Sequence, residues 1–299
     1  ARMTTLMLLC LGVAVFLQIA ANFANDYSDG IRGTDAHRAA AAVANRVEYV
    51  TRVTGPGDVE REETLDYEEL HAPTRLVASG VPTRAVLTAA AVNAALACAC
   101  GLAAVVITGY WWLLAVGALC LLAGWFYVGG AHPYGYRGWG EIAAFVFFGP
   151  VATLGTTVTM AGAVDWIAVC ASVAVGLVAL AVLSVNNLRD IRTDAQAGKR
   201  TWAVRLGARA TTVCIIVAIA LVMLAALAAG VFVGVHGGDL PHLTVGWGFC
   251  AVLGMVCVLL TGYFTCFEVA RGEYMRAMWS LSLLALWLAL AFTGFAMAL

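Results

Sequence analysis

Eight stretches of this chain are each apolar for about twenty residues, and that pattern leaves few folds open. They lie at about 3–25, 85–106, 109–129, 141–162, 165–187, 211–235, 244–267 and 277–298. A helix needs ~20 apolar residues to cross a bilayer. No strand alternation competes with these runs, and lipid cannot satisfy an open sheet edge. The expected fold is therefore all-α: a polytopic transmembrane helical bundle of eight helices, with residues 1–299 forming a single domain. Composition points the same way, since 12% of the residues are charged and 62% are hydrophobic. A soluble domain carries about 25% charged residues, so most of the outer surface must face a lipid bilayer. The net charge of −1 offers no electrostatic case for nucleic acid.

The opening apolar run ends in Asn and Asp rather than at a small-residue cleavage site, so it reads as a membrane helix and not a signal peptide. The connections between the runs are unequal. Residues 26–84, 130–140, 188–210 and 268–276 carry nearly all the charge, whereas 107–108, 163–164 and 236–243 are short and nearly uncharged. Of the 17 basic residues, all but Arg2 lie in or beside the first set. By the positive-inside rule, those connections are cytoplasmic in a multi-pass cell-membrane protein. Arg189, Arg192, Lys199, Arg200, Arg205 and Arg209, in one short loop, carry that orientation.

Residues 36–74 form a polar cytoplasmic insertion with the acidic run Asp58 to Glu69, compatible with a short surface helix or a disordered segment. No chemistry is apparent in it. The nine cysteines show no paired C-x-x-C spacing, and most sit inside apolar runs, where they read as small apolar helix residues. His37, His71, His132, His236 and His242 have no partner at metal-ligand spacing.

Ionisable groups at membrane depth cost ~2.5–3.5 kcal/mol on insertion scales, so exceptions point to function. Two clusters stand out at helix ends on the expected cytoplasmic side. In the first, Asn22, Asn25, Asp26 and Asp29 share one helical face. In the second, Asn186, Asp190 and Asp194 do the same, followed by Lys199 and Arg200. Two carboxylate patches would repel unless a cation joined them. Oxygen-only ligands suit magnesium, which takes one or two carboxylates together with substrate phosphates. Adjacent cations would hold the remaining diphosphate oxygens. The plain alternative is that these are helix caps and interfacial charges. No glycine-rich Walker loop is present, which excludes a P-loop nucleotide site.

These motifs resemble the UbiA superfamily of intramembrane prenyltransferases, and within it the branch acting on 1,4-dihydroxy-2-naphthoate in menaquinone synthesis. Three stretches carry the likeness: N-x-x-N-D-Y-x-D-x-x-x-G-x-D from Asn22 to Asp35, G-G-x-x-P-Y-G-Y-R-G-x-G-E from Gly129 to Glu141, and N-N-x-R-D-I-x-T-D-x-x-x-G-K-R-T-x-A-V-R-L-G from Asn186 to Gly207. Arg75 to Gly80 also resembles a segment of that branch. The family has nine membrane helices, so the resemblance implies that the first is missing here, which brings an inactive member into view.

The resemblance implies a Mg2+ held by Asp26, Asp29, Asp190 and Asp194, with Asn25 as a further ligand. Asn22, Asn186, Asn187 and Tyr134 would line the substrate site. Lys199, Arg200, Arg137 and Arg32 would bind the diphosphate, Arg137 serving either the diphosphate or a carboxylate. Glu141 reads equally as a first-turn residue favoured by the helix dipole. The implied partners are a polyprenyl diphosphate and an aromatic acid. The implied reaction is prenyl transfer to 1,4-dihydroxy-2-naphthoate with decarboxylation, giving a demethylmenaquinone. Rival acceptors within the superfamily are 4-hydroxybenzoate, homogentisate and glycerol phosphate. A cation-coupled transporter is the rival from another class.

Overall fold

The computed structural model describes residues 2–32, 76–77, 79–130, 132–236 and 244–298. The expected insertion at 36–74, with Asp35, His37, His71 and Arg75, lies outside the described residues. Among the described residues every regular element is helical. With no water in a bilayer core, a helix satisfies its own backbone, and the apolar runs follow that rule.

Helix α1 covers Arg2–Ile31 and packs along α2, Thr83–Thr108. The expected span at 109–129 is shorter than its composition suggests. Gly109 takes a left-handed conformation, φ 77°, and its N–H donates to the Val105 carbonyl at 2.7 Å, closing α2. Tyr110, Trp111 and Trp112 are spent on the turn, so α3 runs only Leu113–Val128, 16 residues. Seven helices among the described residues, rather than eight, are therefore long and apolar enough to cross a membrane. The protein is a multi-pass membrane protein.

A 3-10 turn at Tyr134–Arg137 leads into α4, Gly140–Val146. A π turn at Phe147–Val151 joins α4 to α5, Ala152–Ala161, and the three make one continuous span. Pro150 sits in that turn. Proline lacks an N–H and crowds the preceding turn, and the wider π geometry accommodates it. Helix α6 covers Trp166–Arg189, capped by Asp165, whose side chain accepts the Ala168 N–H at 2.7 Å. Two short helices follow, α7 (Ile191–Gln196) and α8 (Trp202–Leu206). The long helices α9 (Ala208–His236), α10 (Thr244–Ala270) and α11 (Tyr274–Ala298) complete the chain.

The core lies where α6, α9, α10 and α11 meet, around the fully buried Val185, Ala226, Leu281, Leu284 and Leu288. Small residues set the approach of α10 and α11. A Cβ on Gly254 would lie 2.6 Å from the Ala291 nitrogen, and one on Gly294 would lie 2.5 Å from the Ala251 nitrogen. Such close contact is how membrane helices pack without a hydrophobic drive between them. By contrast, α3 buries no residue. At one end of the bundle, α1 meets the loop after α3, the 3-10 turn and the segment after α7.

Candidate active site

The last turns of α1 bring Asp26, Ser28 and Asp29 inside the protein. Ser28 and Arg32 fix this end. The Ser28 hydroxyl donates to the Val128 carbonyl at 2.9 Å. Arg32 donates to the carbonyls of Val128 and Gly130, at 3.2 and 2.9 Å. Asp26 Oδ2 accepts the Leu76 N–H at 2.9 Å. Asn25 is half-buried, and Asn22, a turn deeper in the bundle, is exposed.

The second patch is built across a change of helix. Helix α6 ends at Arg189, and Asp190 is both its C-cap and the start of α7. The i to i+4 backbone bonds run through the junction, from the Asp190 N–H to Asn186 O and from the Asp194 N–H to Asp190 O, at 3.0 and 2.8 Å. Asp194 is buried at 2% exposure. Asp190 is paired with its neighbour: Arg189 donates from Nε and Nη2 to its two oxygens, at 2.9 and 3.2 Å. Arg189 in turn reaches the sulfurs of Met275 and Met278 on α11.

Lys199 joins the two patches. Its ammonium stands 3.0 Å from Asp29 Oδ1 and 3.7 Å from Asp194 Oδ1. One cation position is therefore shared by carboxylates that lie more than 160 residues apart in sequence. Tyr136 roofs it. The phenol donates to Asp29 Oδ1 at 2.5 Å, and the ring lies under Lys199 at 4.7 Å and under Arg32 at 5.3 Å. A desolvated ammonium over an aromatic face gains up to about 2 kcal/mol.

Beside Tyr136 lies a cleft of about 360 Å³, lined by Arg32, His132, Pro133, Tyr136, Arg137, Ala197, Gly198 and Arg200. Among the described residues three arginines line it and no carboxylate does. Guanidinium forks match phosphate and carboxylate oxygens. Tyr134 turns away from this cleft, its hydroxyl donating to the Ala123 carbonyl at 2.9 Å, and burial pushes its phenol pKa up.

The carboxylate oxygens around Lys199, rather than the lining of the cleft, are the kind of ligand that magnesium takes. No group of three or more His, Cys, Asp or Glu side chains converges among the described residues. Magnesium does not require such a cage, because it takes one or two protein carboxylates and completes its octahedron with water and phosphate oxygens. Asp26 Oδ1 is buried and has no hydrogen-bond partner among the described residues. A buried anionic oxygen in that state is costly until a cation meets it.

The expected site residues thus divide. Asp29, Asp194 and Lys199 are drawn together, with Asp26 beside Asp29 on the same helix, and Arg32, Arg137 and Arg200 share the cleft. Asn187 instead donates to Glu141 at 2.8 Å, and Asp190 is held by Arg189. Tyr136, central to the geometry, had no role assigned from sequence, although its loop did; two cations on one ring are invisible in linear spacing. Glu141 opens α4 as expected of a first-turn acid, but it is also buried.

Residues 2–253 match the sequence model of the UbiA prenyltransferase family. The chain is 47% identical over 201 residues to 1,4-dihydroxy-2-naphthoate octaprenyltransferase of Mycobacterium tuberculosis, covering 67% of this chain and 58% of that protein. It is 45% identical over 201 residues to the protein of that name in Mycobacterium leprae, covering 67% and 57%. Identity to the Escherichia coli protein of that name is 33% over 206 residues, again 67% and 57%. The chain therefore spans less than two thirds of the length of these curated relatives. No solved structure matches it.

Proposed function

Because this chain belongs to the UbiA prenyltransferase family, we propose that it transfers a polyprenyl group from its diphosphate to 1,4-dihydroxy-2-naphthoate, with loss of carbon dioxide. The observation that carries the reading is the Lys199 ammonium shared by Asp29 and Asp194 beside a cleft of three arginines. Carboxylates beside concentrated positive charge suit a metal-bound diphosphate. The names of the Mycobacterium and Escherichia coli relatives support naphthoate as acceptor.

In this reading Asp26, Asp29 and Asp194 hold Mg2+, with Asp190 and Asn25 at the edge of the set. When bound, the metal neutralises charge on the diphosphate. Lys199 and the arginines of the cleft bind the remaining phosphate oxygens. They favour the departing diphosphate over the intact ester, which is electrostatic catalysis at developing charge. The allylic C–O bond breaks, a C–C bond forms to the electron-rich ring, and the ring carboxylate leaves as carbon dioxide. The product is a demethylmenaquinone in its reduced form. The apolar bundle keeps water from the carbocation. The basic loops around the site support a cytoplasmic-facing active site.

The test is an assay of the purified chain in detergent with a polyprenyl diphosphate and either 1,4-dihydroxy-2-naphthoate or 4-hydroxybenzoate. The expected result is transfer to the naphthoate, release of carbon dioxide and abolition by EDTA. Transfer to 4-hydroxybenzoate alone would reassign the acceptor. Turnover unaffected by EDTA would refute the metal.

A further inference from the structure

Glu141 is a carboxylate at 1% exposure, and neither the acid cluster nor the arginine cleft includes it. Its Oε1 accepts two hydrogen bonds, from Asn187 Nδ2 at 2.8 Å and from the Trp202 backbone N–H at 3.0 Å. Its Oε2 is buried and has no hydrogen-bond partner among the described residues. Burying such a group is expensive, so its contacts are the place to look for a return.

Glu141 sits among bonds that tie one segment to another. Trp202 N–H binds Glu141, the Trp202 indole N–H binds Gly138 O at 3.0 Å, and the Arg200 N–H binds Tyr136 O at 2.8 Å. Three bonds dock residues 200–202 onto residues 136–141. Asn187 adds α6, one residue before Leu188 and the Arg189–Asp190 pair. The two docked segments carry Lys199 and Tyr136, the residues that meet at Asp29. Gly138 shows how little slack remains. It has φ 80°, and a Cβ there would lie 2.9 Å from Arg200 O.

We infer that Glu141 is a positioning residue for the transfer, a latch that clamps the Lys199–Trp202 segment to the Tyr136 loop and so sets where the Lys199 ammonium stands. This rests on the proposed reaction. A group misplaced by about 1 Å from a distance can cost about a hundredfold in rate.

Glu141→Ala and Glu141→Gln in the full chain test it. Glutamine keeps an oxygen that accepts from both Asn187 and Trp202, whereas alanine keeps none. The Ala variant is expected to raise KM for the polyprenyl diphosphate and lower kcat/KM by about a hundredfold. KM for the aromatic acid should stay within about twofold, and Gln should restore most of the loss. Hydrogen–deuterium exchange over residues 196–206 reads the latch without turnover. Exchange there should speed up in the Ala variant and not in Gln, while α11 stays protected in both. A wild-type chain that transfers nothing would sink the proposed reaction yet leave this exchange result standing. Wild-type exchange in the Ala variant, or equal damage from Gln and Ala, would overturn the latch.

Discussion

On α1, Asp26 and Asp29 stand three residues apart in an unbroken helix, and both are buried; at the end of α6, Asp190 and Asp194 stand four apart across a change of helix, and only Asp194 is buried. The nearest cations make the difference. The α1 pair has no basic residue beside it in sequence before Arg32, whose Nη2 donates to the carbonyls of Val128 and Gly130. Asp29 instead meets Lys199, from a segment distant in sequence. Asp190 has Arg189 adjacent and closes a two-bond pair with it. Similar spacing thus yields a carboxylate that needs the rest of the fold and one that is largely served by its neighbour. Asp29 is the carboxylate whose described ion pair reaches across the molecule.

The largest effects should come from the two carboxylates that share Lys199. Asp29→Asn and Asp194→Asn each remove charge from the point where both segments meet. Each should lower kcat/KM by about a thousandfold, the upper range for loss of one preorganised electrostatic group. Steady-state kinetics on purified variants checks this, and near wild-type rates in either would break the comparison. Lys199→Met comes next. It leaves two buried carboxylates facing each other without their common ammonium, and breaking a buried ion pair costs about 3–5 kcal/mol. The expected result is a clear drop in thermal stability and a loss of about a hundredfold in transfer. Added magnesium should recover part of the stability, because a metal ion offsets the same repulsion. Unchanged melting with and without magnesium would mean that the acids do not depend on a cation at all.

Much of this arrangement was legible in the sequence. Runs of ~20 apolar residues dictate membrane helices on length and solvation alone. The run 109–129 forms a shorter helix, Leu113–Val128, because hydropathy does not see where a helix must stop. Gly109 ends α2, and three aromatic residues then fill a turn that composition counts as membrane. The acid clusters were legible because ionisable groups are rare in such a chain. Their partners were not. Helical spacing puts Asp190 and Asp194 on one face, but it does not tell which of them a neighbouring arginine captures. Spacing also says nothing of Tyr136, whose role arises from Lys199, Arg32 and Asp29 meeting around one ring. Nor does spacing reveal that Asn187, an amide at a polar helix end, donates a hydrogen bond to a buried glutamate 46 residues earlier.

The smallest effect sharpens the comparison most. Asp190 keeps 17% side-chain exposure, against 3% for Asp194, and both its oxygens receive Arg189. Asp190→Asn removes that charge but leaves the Lys199 bridge intact. The freed guanidinium still has Met275 and Met278 as neighbours. The expected loss in kcat/KM is about tenfold, the scale of one charge-assisted bond rather than a core electrostatic group. Measured beside Asp194→Asn, the ratio of the two losses reports how far the patches differ. Equal losses would mean that Asp190 leaves Arg189 and turns to the metal once the diphosphate arrives. The asymmetry would then disappear in the diphosphate complex, and Arg189→Met should make Asp190 a better ligand and lower the magnesium concentration needed for half-maximal rate.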